Sequence, residues 1–339
     1  SNGFKGTWLC YWLYKLRAKV VGIALKSEPN DFMFKKLKMD KKIKQFYLDI
    51  RNFKELDMVI KKNKPDVIFH LAAQSIVSDG YLNPDNTFTT NVLGSLHILE
   101  TFKKNKIKNL VYITSDKCYL NKEKKIGYKE NDELGGKDPY SSSKAGAEIV
   151  FRTFYKIFGE QNNKLKIATL RAGNVIGGGD FKKDRLIPDI IKSIKNNNKI
   201  FLRNPNSNRP WQHVLEPTYG YLLIGSYLMK NKLSNKIIPH WNFGPERRSC
   251  IKVKDITRKF LSLWNLNKKK FFIQKKKNFK EGNILFLNIN KAKKELNWKP
   301  RLNLRESIKM TVDLYKAILK NRKIDKIINN QIKYYEIKF

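Results

Sequence analysis

Apolar residues along the chain fall into two alternating rhythms. Runs of five or six residues at Val20 to Leu25, Gln45 to Ile50, Val67 to Leu71, Leu110 to Thr114 and Ile167 to Arg171 have the length and β-branched content of buried strands. Between them, apolar residues recur at three- and four-residue intervals in Thr7 to Arg17, Phe53 to Asn63 (Asn52 as N-cap), Pro84 to Lys104 and Tyr140 to Phe158, which predicts helices. Each is long enough to be the crossover between two parallel strands, so the repeated switch of period predicts a doubly wound α/β fold with a parallel sheet of Rossmann type. Beyond Arg171 the rhythm loosens. Gly- and Pro-containing loops and short signals run through Asn303 to Lys320 and end in a basic tail. The expected division is a first domain over 1–174, with 211–248 packing back onto it, and a smaller C-terminal substrate domain over 175–339 that caps the carboxyl ends of the strands.

The amino end breaks the pattern. Gly3-Phe4-Lys5-Gly6 stands directly before a helix with no strand in front of it. The expectation is a missing first strand, with Gly3 and Gly6 as the second and third glycines of a phosphate-binding GxxGxxG turn. Two glycines alone fit an ordinary flexible terminus equally well.

Composition changes the picture at one point. The 339 residues carry 70 Lys and Arg against 30 Asp and Glu, a net charge of +40. The lysines are spread through Lys35 to Lys44, Lys122 to Lys129 and Lys268 to Lys277, without an arginine-rich arm or basic runs interleaved with aromatics. The charge is therefore read as a field that attracts anionic ligands rather than as a nucleic-acid surface. No apolar run approaches the roughly 20 residues that span a bilayer, so a soluble, cytoplasmic protein is expected. Cys10, Cys118 and Cys250 cannot all pair, and His70, His97, His213 and His240 are too dispersed for a zinc spacing. Free thiols and no metal follow.

Tyr140 and Lys144 lie one helical turn apart on one face, which allows an ammonium to stabilise a phenolate. The same Tyr-x-x-x-Lys spacing occurs at Tyr11/Lys15 and Tyr334/Lys338 among 15 tyrosines. Context separates them. Only Tyr140 follows a strand ending in Thr114-Ser115-Asp116-Lys117, where the carboxyl edge of a parallel sheet presents polar side chains to a ligand crevice.

With these residues in place the chain resembles the extended short-chain dehydrogenase/reductase family, whose catalytic set is Ser or Thr, Tyr and Lys. The resemblance runs almost end to end. His70 to Gln74 resembles the family's segment beside the cofactor, Asp49-Ile50 its adenine contact and Asn91 its helix asparagine. Thr114 to Tyr119 (TSDKCY), Arg171 to Asp180 (RAGNVIGGGD), Arg185 to Asp189 (RLIPD) and Arg203 to Pro217 (RNPNSNRPWQHVLEP) resemble, more narrowly, the family's nucleotide-sugar dehydratases acting on CDP-glucose. Sister dehydratases carry Asp-Glu where this chain has Asp116-Lys117, and epimerases lack the acid.

The resemblance implies an NAD cofactor held by Gly3, Phe4, Gly6, Asp49, Ile50, Leu71, Ala72, Ala73, Gln74, Asn91, Tyr140 and Lys144. It also implies a CDP-glucose substrate met by Asn174, Arg185, Arg203, Arg209 and His213, with the arginines on the diphosphate and nucleotide. His213 fits a packed structural role better than a catalytic one, and Gly177 to Gly179 fit a turn more readily than a ligand loop. Lys26 stands where many NAD sites place an acid, and would tolerate a 2′-phosphate.

The implied reaction is an internal redox dehydration that feeds the making of O-antigen-type surface polysaccharide, in a homodimer built on a two-helix face. Tyr140 takes the C-4 hydroxyl proton with Ser115 on the reacting oxygen. Working near neutrality asks its pKa to fall by about 3 units, worth about 4 kcal/mol. Asp116 is the acid for the C-6 hydroxyl, and Lys117 either takes the C-5 proton as a neutral amine or, charged, stabilises the enolate. A dehydratase or 4-epimerase of another nucleotide sugar, and a non-catalytic NAD-binding fragment, are the alternatives.

Overall fold

The computed structural model describes residues 1–26, 31–124, 126–159, 165–233, 239–266, 271–273 and 284–338. Most of the lysine run from Lys268 to Lys277 lies outside them. The strands are β1 Val21–Ala24, β2 Lys44–Tyr47, β3 Val67–His70, β4 Asn109–Ile113, β5 Lys166–Ala172, β6 Val175–Ile176, β7 Ile200–Leu202, β8 Asn208–Pro210, β9 Gln212–His213, β10 His240–Phe243, β11 Cys250–Lys252 and β12 Phe271–Ile273. The helices are α1 Phe4–Lys15, α2 Phe32–Lys36, α3 Phe53–Asn63, α4 Val77–Leu82, α5 Pro84–Phe88, α6 Gly94–Lys104, α7 Pro139–Phe154, α8 Leu186–Lys195, α9 Leu215–Met229, α10 Val253–Trp264, α11 Asn290–Leu296, α12 Leu304–Leu319 and α13 Asp325–Ile337.

The main sheet is parallel, in the order β10-β5-β4-β3, with Val67 opposite Asn109, Asn109 opposite Lys166 and Thr169 opposite His240. β1 and β2 form a separate parallel pair with Val21 opposite Lys44. Strand β4 explains the layering. Leu110 and Tyr112 point into a core shared with Leu56, Leu99, Phe102 and Phe151 of α3, α6 and α7. Val111 and Ile113 point the other way, into a core with Tyr221, Ile224, Trp241 and Trp298 beneath α9. A two-residue side-chain period with both faces covered by helices is the physical content of a doubly wound sheet.

Three elements differ from the sequence expectation. Helix α1 begins at Phe4, with Gly3 as an N-cap that offers no side chain. The segment 84–104 is continuous but contains a π-helical turn, Thr89–Leu93, a feature that often marks functional positions. The basic tail is no tail: α13 buries Ile328, Ile332 and Tyr335 in a core with Trp8, Trp12 and Tyr315. Its apolar residues recur at helical spacing among lysines, so packing decides over charge. Cys10 and Cys118 are buried free thiols. Among the described residues no helix is long and apolar enough to cross a membrane.

Candidate active site

The crevice is built where β4 ends. Thr114 N–H still donates to Leu170 O at 2.9 Å. The chain then turns through Ser115, whose extended backbone caps a 3-10 turn, Asp116–Cys118. The Ser115 hydroxyl donates to Asp116 Oδ1 at 2.9 Å and accepts from Lys117 N at 3.3 Å. Asp116 is only 3% exposed, and its Oδ2 has no hydrogen-bond partner among the described residues. A Cβ on Gly173 would lie 3.4 Å from that oxygen. Burial holds the carboxyl above the usual aspartate range, against the pull of Lys117, the Ser115 bond, Arg209 and Lys5. A buried acid with a raised pKa and a free oxygen can deliver a proton.

Helix α7 brings Tyr140 to this turn. Asp138 is its N-cap, accepting from Ser141 N at 2.9 Å, and Pro139 occupies the first helical position, so Tyr140 is fixed in the first turn. Its phenol lies close enough to the Ser115 hydroxyl for that group to favour the phenolate. Burial pushes Tyr140 up to about 12, with Asp116 adding to the rise and Ser115 and Arg185 opposing it. Lys144 is itself held down to about 8 by burial and by Lys5. The side chains alone therefore keep Tyr140 a phenol at neutral pH, because desolvation of the anion outweighs the pull of Arg185.

The cofactor candidates divide. Gly3 caps α1, whose first turn has no acidic residue and no side-chain cap, so its backbone N–H groups remain available to an anion. A side chain at Gly3 would meet nothing within 4 Å, whereas one at Gly6 would collide with Ser1 O at 2.7 Å. Phe4 packs towards Gly177, 3.0 Å from where a Cβ would stand. Leu71, Ala72, Ala73 and Gln74 follow β3 as a partly exposed loop along the crevice. Asp49 is gripped by Arg51, at 3.0 Å from Nε and 2.6 Å from NH2 to Oδ2, which lowers its pKa. Ile50 is buried against Gly94. Asn91 is fully buried, and its amide is spent on protein. It accepts from Gln74 N at 2.9 Å and donates to Gln74 O at 3.0 Å and Ser143 Oγ at 2.8 Å. Asn91 thus pins the β3 loop to α7 instead of facing a ligand. The uncapped α1 end, the open β3 loop and the orphaned Asp116 oxygen together fit a dinucleotide laid across the carboxyl ends of the strands.

Of the substrate candidates, Arg185 lies within electrostatic reach of Tyr140 and donates to Asp180 Oδ2 and Ser75 Oγ, both at 2.8 Å. Arg209 is buried on β8, donates to Asn208 O at 2.9 Å and acts on Asp116. Asn174 is half-buried, and its carbonyl accepts from Gln212 N at 3.1 Å. Arg203 sits on the exterior, paired with Asp184 at 3.0 Å and Asp189 at 3.4 Å. His213 is fully buried, edge-on to Trp8 at 5.8 Å, and burial holds it neutral with a pKa of about 3. Its placement is that of a core residue. Gly177 to Gly179 are close-packing positions, since a Cβ would strike Val214, Leu314 or Met33, and Gly179 has φ +92°.

Sequence reasoning missed three members of this region. Lys5, in the first turn of α1, is pushed down to about 8 by burial and Arg185 and is drawn by Asp116. Ser75 joins the β3 loop to Arg185. Glu148 lies one turn beyond Lys144 on α7, fully buried against Arg171 at 2.7 Å. The Tyr140, Lys144, Glu148 spacing was the available signal for the last. A cleft of about 490 Å³ between α12 and α13, lined in part by Met310, Lys316 and Tyr334, shares no residue with this site.

The chain is similar to known proteins along most of its length. The family model of GDP-mannose 4,6 dehydratase matches residues 1–311. A CDP-glucose 4,6-dehydratase of Salmonella typhimurium is 41% identical over 321 residues, covering 93% of this chain and 89% of the relative. A UDP-glucuronate 4-epimerase of Thermodesulfobacterium geofontis is 26% identical over 92% of this chain and 93% of its own. Among solved structures, a dTDP-glucose 4,6-dehydratase of Bacillus anthracis in complex with NAD superposes with a TM-score of 0.77 at 22% identity, covering 96% of this chain and 97% of the other. A UDP-glucose 4-epimerase of Thermotoga maritima with UDP-glucose gives 0.80 at 20% identity over 94% and 97%.

Proposed function

Because the chain belongs to the GDP-mannose 4,6 dehydratase family, we propose that it is a hydro-lyase converting CDP-glucose to CDP-4-keto-6-deoxyglucose with NAD as its resident cofactor. The observation that carries this reading is Asp116, a buried carboxyl with a raised pKa and an unpartnered Oδ2 beside Ser115 and Tyr140. Loss of water from C-6 needs such an acid, whereas epimerisation at C-4 does not.

The α1 N-terminus, Leu71 to Gln74 and Lys144 would hold NAD, which when bound supplies the hydride acceptor and donor of the cycle. Tyr140 meets the C-4 hydroxyl and receives its proton, and Ser115 hydrogen-bonds the same oxygen. Arg185 favours a Tyr140 phenolate on the protein side, and in this reading Lys144, one turn further along α7, and the positive end of that helix add to it. Asp116 gives its proton to the departing C-6 oxygen. Lys117 stands at the C-5 side of this reading, as base or as a fixed charge on the enolate. Arg209 and Arg185 are the guanidinium forks for the diphosphate, Arg185 after leaving Asp180 and Ser75.

The enzyme is a cytoplasmic homodimer in this proposal. The unpaired thiols suit a reducing compartment. Phe88 and Leu93, on the 84–104 segment, and Ile149, on α7, are 40%, 41% and 54% exposed and form an apolar face suited to a second copy. The test is incubation of the purified chain with NAD and CDP-glucose, with NMR detection of the 4-keto-6-deoxy sugar. Tyr140→Phe should abolish its formation, while Tyr11→Phe and Tyr334→Phe retain it. Formation of a 4-epimer alone, or equal losses in the three variants, would overturn the reading.

A further inference from the structure

Glu148 of α7 ties two strands, β5 and the end of β4, to one carboxylate. Its Oε2 accepts from Arg171 NH2 at 2.7 Å, and its Oε1 accepts from Arg171 Nε at 2.9 Å, from Thr169 Oγ1 at 2.8 Å and from Thr114 Oγ1. The side chains of Glu148 and Arg171 are both completely shielded from solvent. Arg171 reaches further, donating to Tyr119 OH at 2.6 Å and Glu130 O at 2.8 Å, and Tyr119 OH donates to Asn242 Oδ1 of β10 at 2.8 Å. With both side chains shielded from solvent, the geometry of the pair is set by these protein donors.

The two threonines lead to different places. Thr169 lies within β5, away from the turn. Thr114 directly precedes Ser115-Asp116-Lys117, and Glu148 shares a face of α7 with Lys144 and Tyr140, one and two turns back. The Thr114–Glu148 bond is therefore a direct side-chain strut between the helix that carries the phenol and the strand end that carries the acid. We propose that Glu148, locked by Arg171, is a positioning residue that acts through Thr114 to set the Ser115–Asp116 turn against Tyr140. This rests on the dehydratase reading for its catalytic consequence, but not for its structural one.

The test uses two isosteric substitutions, each deleting one hydroxyl donor to the same carboxylate oxygen. Thr114→Val and Thr169→Val are expected to lower Tm by similar amounts, since each removes one buried bond to a charged acceptor. In the chain without ligand, hydrogen–deuterium exchange of the amides of Lys117, Cys118 and Tyr119 should accelerate about tenfold in Thr114→Val and stay near wild type in Thr169→Val. With NAD and CDP-glucose, kcat per folded molecule should fall about tenfold or more in Thr114→Val with KM little changed, and not in Thr169→Val. Equal exchange in the two variants overturns the proposal, as does a loosened turn with unchanged kcat. If the wild-type chain forms no keto sugar, the dehydratase reading fails and the exchange comparison alone decides the positioning role.

Discussion

Replacing Asp116 by Asn isolates proton delivery from everything else the site does. The amide has the same shape, can still accept from the Ser115 hydroxyl through its carbonyl oxygen, and fills the space before Gly173 where Oδ2 now lies without a partner. What it cannot do is surrender a proton to a leaving hydroxyl. General-acid catalysis contributes about 10² to 10⁴ in rate, or about 3 to 5 kcal/mol of barrier, so kcat for keto-sugar formation should fall by that factor. Oxidation at C-4 relies on Tyr140 and Ser115, and single-turnover NADH formation should persist within about threefold.

A substrate carrying fluorine in place of the C-6 hydroxyl sharpens the test, because fluoride departs without needing a proton. Asp116→Asn should recover most of its lost rate with that compound. The same substitution should raise stability. Burial holds the folded-state pKa of Asp116 above its ordinary value of 3.8, so wild type loses stability as pH rises from that value through the raised one. The variant has no such loss, and its Tm should exceed that of wild type at pH 8 and converge with it at low pH. An Asn variant equally slow on both substrates, or one retaining more than about a tenth of wild-type kcat, would refute the acid assignment.

Lys117 discriminates base from electrostatic catalysis through C-5 deuterium exchange into pre-formed keto sugar. Lys117→Arg should be nearly inactive if the amine takes the proton, since a guanidinium cannot, and should retain exchange that Lys117→Met loses if only charge matters. Glu216, at the start of α9, accepts from Arg301 N, Leu302 N and Tyr335 OH at 2.9, 2.7 and 2.8 Å, yet burial raises its pKa from 4.5 to about 7. The unfolded chain releases this proton near 4.5 and the folded one near 7, so wild type loses stability across that window. Glu216→Gln should be more stable by about 3 kcal/mol at pH 8 than at pH 4, relative to wild type, in urea titrations; a constant difference would refute the cause. Ile149→Asp, on the exposed α7 face, should convert a dimer to a monomer by sedimentation velocity without lowering Tm by more than a few degrees.

Local periodicity determined the alternation of strands and helices, and hence the parallel sheet covered on both faces, because a two-residue and a 3.6-residue rhythm need no knowledge of distant contacts. It also determined the Tyr140–Lys144 pair, whose geometry is internal to one helix, and the Ser115-Asp116-Lys117 turn at a strand end. Asn52 at the start of α3, accepting from Glu55 N at 3.3 Å, was readable for the same reason.

What tertiary structure alone decided is who shares the crevice and at what charge. Lys5 and Asp116 are more than a hundred residues apart in sequence, and only the crossing of α1 over the strand ends brings their charges together. Asn91 looked ligand-facing in sequence and the fold spends it on Gln74 and Ser143, whereas His213, readable either as a packed or as a substrate-side residue, is settled against Trp8 by tertiary packing. The raised pKa values of Tyr140 and Asp116 likewise come from desolvation, which depends on the whole surrounding shell and not on spacing along a helix. The last helix shows the same division: α13 carries a readable apolar stripe, but that it docks on Trp12 and Glu216, and so ceases to be a tail, follows from contacts about 120 to 320 residues away in sequence.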